Sequence, residues 1–226
     1  SVRVDAMNCF TGNVLFNNHH FLLDIYQLDM ASLARAVTFT PQALAAAGER
    51  KLAAFLTFRN GGFWDFRHPS GIHGLNTLRS RVALEGGLFG KVDVYGSGWP
   101  FNLALPEDTA AADTDDVFAK KLLQYKKYNF ALCFENTWSP YYVTEKLWQA
   151  IIGNCLPVYF AGPTHTIYQD FPRESFIDYA DFEHPAQLFA MIDSLTQDEF
   201  DRRMGICRNV LFNAIRQSRS GQGPRQ

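Results

Sequence analysis

The chain is short of the features that usually settle a function quickly. Its 226 residues include four cysteines, Cys9, Cys133, Cys155 and Cys207, which form neither a CxxC pair nor a Cys/His metal pattern. Cys133 and Cys155 lie in apolar stretches and read as small buried hydrophobes, so a reducing compartment is the simpler expectation. A surplus of charge is lacking too. With 21 basic and 23 acidic residues the net charge is -2, which makes no electrostatic case for nucleic acid or an acidic membrane surface. No apolar run approaches the ~18–20 residues that cross a bilayer, and the first residues do not read as a signal peptide. A membrane-anchoring stem, if there is one, is expected outside this chain, with peripheral membrane association left open. The full dinucleotide glycine fingerprint is absent as well: Gly96-Ser97-Gly98 follows a strand-like run but reads only as a tight turn. There is no internal repeat.

Aromatic residues, by contrast, make up 15% of the chain, with 20 Phe, and most of these rings are expected in a packed core. From about residue 50 the chain alternates between two kinds of segment. Short apolar runs at 51–58, 91–96, 129–135, 156–161 and 175–179 predict strands. Helices are predicted at 76–89, 114–126, 141–152, 164–170, 185–194 and 197–214. Such alternation implies βαβ units: an α/β fold with a Rossmann-like, mostly parallel sheet flanked by helices. Gly153 and Pro157 serve as the stop of one helix and the start of the next strand. The expected layout is a segment at 1–50 without assignment, a Rossmann-like domain at 51–215 and a mobile tail at 216–226. Residues 1–50 are too few for a second domain of ~100 residues, although a helix is expected near 29–37. The stretches 61–74 and 100–116 read as linkers.

Chemistry concentrates in the middle of the chain. Phe134-Glu135-Asn136-Thr137 ends a strand, and Tyr142-Val143-Thr144-Glu145-Lys146 opens a helix whose Val143, Leu147, Ala150 and Ile151 make one apolar stripe. A carboxylate and an ammonium thus fall where free backbone N–H groups attract anions. That combination suits the diphosphate and hydroxyls of a nucleotide sugar. Taken alone, Lys146 is equally a solvated lysine at the start of a surface helix.

These motifs, with Gly153 and Leu156-Pro157-Val158-Tyr159-Phe160-Ala161-Gly162, resemble the donor-site signature of the family 10 glycosyltransferases, the α-1,3/4-fucosyltransferases. Lys51-Leu52-Ala53-Ala54-Phe55, Arg79 before Val92-Asp93-Val94-Tyr95-Gly96, and Ser175-Phe176-Ile177-Asp178 with Asp181-Phe182 extend the likeness over roughly residues 51–200. The resemblance implies the donor-binding half of a GT-B glycosyltransferase and inverting transfer of fucose from GDP-fucose to a glycan hydroxyl, α-1,3 by preference. It makes Arg79, Asn136, Tyr142, Glu145 and Lys146 donor-binding residues, with Glu135, Tyr141 and His165 as further candidates. Arg81 competes with Arg79, and Tyr141 with Tyr142, for the same role. No cofactor is implied, and Mg²⁺ or Mn²⁺ is at most a stimulant. Two alternatives stand beside this reading: a donor-binding module without its own activity, and a transferase using another GDP-sugar. The compartment would be the cytoplasm or the membrane periphery in a bacterium, and the Golgi lumen in a eukaryote.

Other groups are weaker. Asp113-Thr114-Asp115-Asp116 looks like a DxD metal motif but reads better as acids capping a helix. His68, His73 and His19-His20 have no spacing that joins them to metal ligands. The general base that inverting transfer requires is not identified; Asp5, Asp24 and Asp29 are candidates by chemistry alone.

Overall fold

The computed structural model describes residues 42–106 and 117–219. Asp5, Asp24, Asp29, Cys9, the helix expected near 29–37, the Asp113–Asp116 run and residues 220–226 lie outside the described residues.

A run such as Leu52-Ala53-Ala54, fully buried on both faces, has nowhere to sit except inside a covered parallel sheet. Strand β1 (Leu52–Phe55) lies there, between β3 (Val92–Tyr95) and β4 (Phe130–Leu132). Beyond β4 come β6 (Leu156–Tyr159) and β7 (Ile177–Asp178), so the order is β3-β1-β4-β6-β7 with every pairing parallel. Pro157 is tolerated inside β6 for a geometric reason. Leu156 N–H and Val158 C=O bond towards β4, so Pro157 faces the other neighbour, and β7 begins its pairing only at Val158.

Five helices complete the layers: α1 (Asn76–Leu88), α2 (Val117–Tyr125), α3 (Glu145–Ile152), α4 (Pro185–Ser194) and α5 (Gln197–Arg219). Helix α3 buries Leu147 through Ile151 almost without interruption because it is packed against β6, α2 and α5. The predicted α/β architecture is the one observed, but several elements are shorter. The segment expected as a helix at 141–152 starts only at Glu145, and the one at 164–170 is a 3-10 turn at Thr166–Gln169. Helix α5 runs on to Arg219, through the position where the tail was expected to begin.

Two pieces of the chain do more than link. Within 61–74, β2 (His73–Gly74) pairs antiparallel with β5 (Thr137–Trp138), making a small ribbon over the carboxyl end of the main sheet. Residues 42–50 are part of the α/β body: Ala45 N–H bonds Asn129 Oδ1, and buried Arg50 donates to the last carbonyls of α4 at Ile192, Asp193 and Leu195.

Gly96 and Gly153 are among the glycines where a side chain would collide. Gly96 has φ 110°, and a Cβ there would stand 2.7 Å from the Leu56 carbonyl oxygen, which fits the expected tight turn after β3. Gly153 ends α3 as expected, yet its φ of -72° needs no glycine. What excludes a side chain is the Tyr125 Cβ, 2.5 Å from where a Gly153 Cβ would be.

Candidate active site

In this strand order the chain leaves β1 in one direction to β3 and returns in the other to β4. The crevice beyond the carboxyl ends of β1 and β4 is therefore the topological switch point, where open α/β sheets bind ligands. Phe55 and Leu56 at the end of β1, and Leu132 and Phe134 at the end of β4, line a cavity of about 10 Å³ there. Its polar lining is three cations: Arg79 from α1, Lys121 from α2 and Lys146 from α3. A wider cavity of about 270 Å³ shares Phe55, Leu56 and Lys121 with it and is lined further by Tyr95, Gly96, Lys120 and Gln124.

Local structure explains each position. Asn136 follows β4, and its carbonyl accepts from Leu75 N–H and Asn76 Nδ2, which fixes the start of α1. One turn later Arg79 projects into the crevice. It is buried, and its Nε finds no hydrogen-bond partner among the described residues. Burial lowers its pKa to about 10 against the pull of Glu135, with Arg59 adding repulsion, so it remains a cation at neutral pH. Arg81, the other candidate of that segment, has a mostly exposed side chain 4.0 Å from Glu85. The structure thus puts Arg79, and not Arg81, in the crevice.

Glu135 is almost completely buried and organises the start of α3. Its Oε1 accepts from Thr144 N–H at 2.7 Å, and its Oε2 accepts from Thr144 Oγ1 at 2.7 Å and from Lys146 Nζ at 2.9 Å. Tyr159 O–H reaches Oε1 at 3.4 Å. Lys146 Nζ also donates to Thr144 Oγ1 at 2.7 Å and stands 3.6 Å from Glu145 Oε1. Burial would lower the Lys146 pKa, but Glu135 and Glu145 outweigh it and raise it. Burial likewise opposes ionisation of Glu145, yet Lys146, its own N–H at the helix start and Lys121 bring its pKa below the ordinary value. The amino end of α3 is thus already faced by two carboxylates. Attraction for a further anion comes from the three cationic side chains more than from the helix dipole.

Tyr142 is buried beside this group, with its carbonyl accepting from Tyr159 O–H at 3.3 Å, whereas Tyr141 is exposed. His165 is buried behind them. Its Nδ1 accepts from Ile167 N–H at 3.0 Å and the ring also bonds the Tyr142 backbone, while burial lowers its pKa to about 4. The imidazole is therefore neutral and latches the loop after β6 to the Tyr142 segment. Asp178 holds the same loop from the other side, accepting from the N–H groups of Ala161 and Gly162 and from Tyr168 O–H.

Lys121 was not among the sequence candidates. In sequence it is one of two adjacent lysines on a helix of mixed polarity, and no motif marks it. Among the described residues no group of three or more His, Cys, Asp or Glu is placed to hold a metal ion, and no helix is long and apolar enough to cross a membrane.

Comparison with known proteins bears directly on this crevice. Residues 79–203 match the model of glycosyltransferase family 10 (fucosyltransferase), C-terminal region, a span that begins at Arg79 and includes Lys146. An alpha-(1,3)-fucosyltransferase B of Drosophila melanogaster is 29% identical over 127 residues, covering 56% of this chain and 26% of its own length. A 3-galactosyl-N-acetylglucosaminide 4-alpha-L-fucosyltransferase of Bos taurus is 38% identical over 110 residues, 48% of this chain and 26% of its own. A GDP-fucose protein O-fucosyltransferase 3 of Gallus gallus is 38% identical over 112 residues, 48% of this chain and 22% of its own. Among solved structures, an α1,3-fucosyltransferase with GDP-fucose aligns over 80% of this chain and 44% of that one, with TM-score 0.45 and 18% identity. The chain spans about a quarter of the length of these curated relatives. With more than half of its residues inside the family model, the chain belongs to glycosyltransferase family 10, the fucosyltransferases.

Proposed function

We propose that this chain is the donor-binding part of an inverting fucosyltransferase that moves fucose from GDP-fucose to a glycan hydroxyl, α-1,3 linkage being preferred. The observation that carries the reading is the crevice beyond β1 and β4, where the buried Arg79 Nε has no partner among the described residues and two lysines line the same cavity. A buried guanidinium with an unsatisfied N–H gains much from an anion, because desolvation has already removed the water that competed for it. In this role Arg79 and Lys146 grip the diphosphate and neutralise the charge that develops on GDP as the fucosyl–phosphate bond breaks. Arg79 can engage two phosphate oxygens with one planar group. Glu145 accepts hydroxyls of the donor, Tyr142 and Asn136 position it, and Glu135 holds Lys146 in place. The wider cavity takes the nucleoside. The diphosphate charge is met by side chains, so a divalent cation is at most a stimulant.

The reading is tested by thermal unfolding of the chain with GDP-fucose, GDP-mannose and UDP-glucose at equal concentration. Stabilisation by GDP-fucose above GDP-mannose, and none by UDP-glucose, supports a fucose donor site. Equal stabilisation by both GDP-sugars would move the assignment to a transferase with another donor. The chain's coverage of about a quarter of its relatives favours one further reading, a donor-binding unit that transfers sugar only together with an acceptor-binding part. Transfer of fucose from GDP-fucose to a glycan acceptor by this chain alone would contradict that narrower form.

A further inference from the structure

Lys121 is a partly buried ammonium with an unusual set of neighbours. It stands over the faces of Phe55 and Tyr125, 5.3 and 5.5 Å from their centroids, and donates one hydrogen bond of 2.8 Å to Gln149 Oε1. The two rings and the amide hold it in place without neutralising it. Lys146, by comparison, has carboxylate oxygens at 2.9 and 3.6 Å, whereas among the described residues Lys121 has no carboxylate within ion-pair distance. Burial and the like charge of Lys146 lower its pKa, while Cys133, Glu145 and Glu135 pull the other way. An ammonium held by two rings and one amide has no carboxylate among the described residues to compete with an incoming anion. Among the described residues it is also the one cation lining both cavities, since Arg79 and Lys146 line the smaller one alone and Lys120 the wider one alone.

We propose that Lys121 is a third phosphate-binding residue of the donor site, at the junction of the two cavities, where it takes the phosphate attached to the nucleoside. This rests on the donor reading above and deepens it. Arg79 and Lys146, which line the smaller cavity alone, take the phosphate that carries the sugar. The division follows from the shared lining: of Phe55, Leu56 and Lys121, common to both cavities, Lys121 alone is charged. Gln149 acts through Lys121 as a positioning residue, turning the ammonium from α2 towards the crevice.

The test compares calorimetric binding of guanosine, GMP and GDP to the 226-residue chain and to its Lys121→Met and Lys146→Met variants. Met keeps the apolar stem over the two rings and removes the charge. Lys121→Met is expected to weaken GMP and GDP alike by at least about tenfold and to leave guanosine unchanged. Lys146→Met is expected to weaken GDP more than GMP. Thermal unfolding without ligand separates binding from structure: the Lys121→Met midpoint should hold or rise, because the partly buried charge has no carboxylate partner among the described residues and Met keeps the packing on the two rings. A fall in that midpoint together with unchanged GDP affinity would make Lys121 a structural cation and overturn the proposal. Loss of guanosine affinity equal to that of GDP would overturn it too, by placing Lys121 at the base. If the unaltered chain binds GDP and only Lys146→Met weakens it, the Lys121 assignment alone fails. If the unaltered chain binds no guanine ligand, the donor reading fails and takes this proposal with it.

Discussion

Lys146 Nζ lies 2.9 Å from Glu135 Oε2, and this ion pair ties the first turn of α3 to the loop that ends β4. The carboxylate is almost wholly buried and the lysine one-fifth exposed. Removing one partner strands the other. Glu135→Ala should therefore destabilise the fold by about 3 kcal/mol, the lower end for a broken buried pair because Lys146 keeps some water. Urea unfolding checks this through a lower midpoint at unchanged slope. Glu135→Gln combined with Lys146→Met should cost less than the two single changes summed.

The orientation of Arg79 makes a sharper prediction about binding than about stability. Arg79→Lys keeps the charge but loses the planar fork, and GDP affinity should fall by about tenfold. Arg81→Met, on the exposed side of the same helix, should leave it unchanged. Titration calorimetry on both variants distinguishes the two arginines, and a larger effect at Arg81 would reverse the assignment.

His165 gives the fold an acid-side sensitivity. Its pKa is about 4 in the folded chain against 6.5 unfolded, so between those values the unfolded state binds the extra proton. Stability from this group is complete above pH 6.5, declines by up to about 1.4 kcal/mol per pH unit below it, and stops declining near pH 4. Protonation would also remove the acceptor that Ile167 N–H uses. In His165→Asn, whose side-chain oxygen can still accept from Ile167 N–H, that part of the pH profile should be flat. An unchanged profile would mean another group titrates there.

Gly153→Ala should cost about 1–3 kcal/mol, since the new methyl meets the Tyr125 side chain 2.5 Å away and both helices must shift. Thermal unfolding reads this directly. A neutral result would mean that α2 and α3 have more freedom than their packing suggests.

The Gly153 case also shows which parts of the molecule were legible in its sequence. A glycine after an apolar helical stripe marks a helix end correctly, but the reason lies in Tyr125, 28 positions earlier, which no local pattern reveals. The mostly parallel sheet and its helical layers followed from apolar runs such as Leu52-Ala53-Ala54, because only a covered parallel sheet buries both faces of a strand, whereas the strand order came from the structure alone. Glu135, Glu145 and Lys146 were readable because one strand end and one helix start, close in sequence, carry them all. Lys121 was hidden, since its burial depends on α2 meeting Phe55 of β1 and Gln149 of α3. The ribbon of His73–Gly74 with Thr137–Trp138 was hidden for a related reason: two-residue strands have no periodicity to detect.

The central claim is that the cations at the carboxyl ends of β1 and β4 bind a guanosine diphosphate. Calorimetric titration of the chain with GDP, GDP-fucose and UDP, without added metal, tests it most directly. The account predicts binding of both guanine ligands, no binding of UDP, and a marked loss of GDP affinity in Lys146→Met. Equal binding of UDP, or unchanged GDP affinity in Lys146→Met, would contradict it.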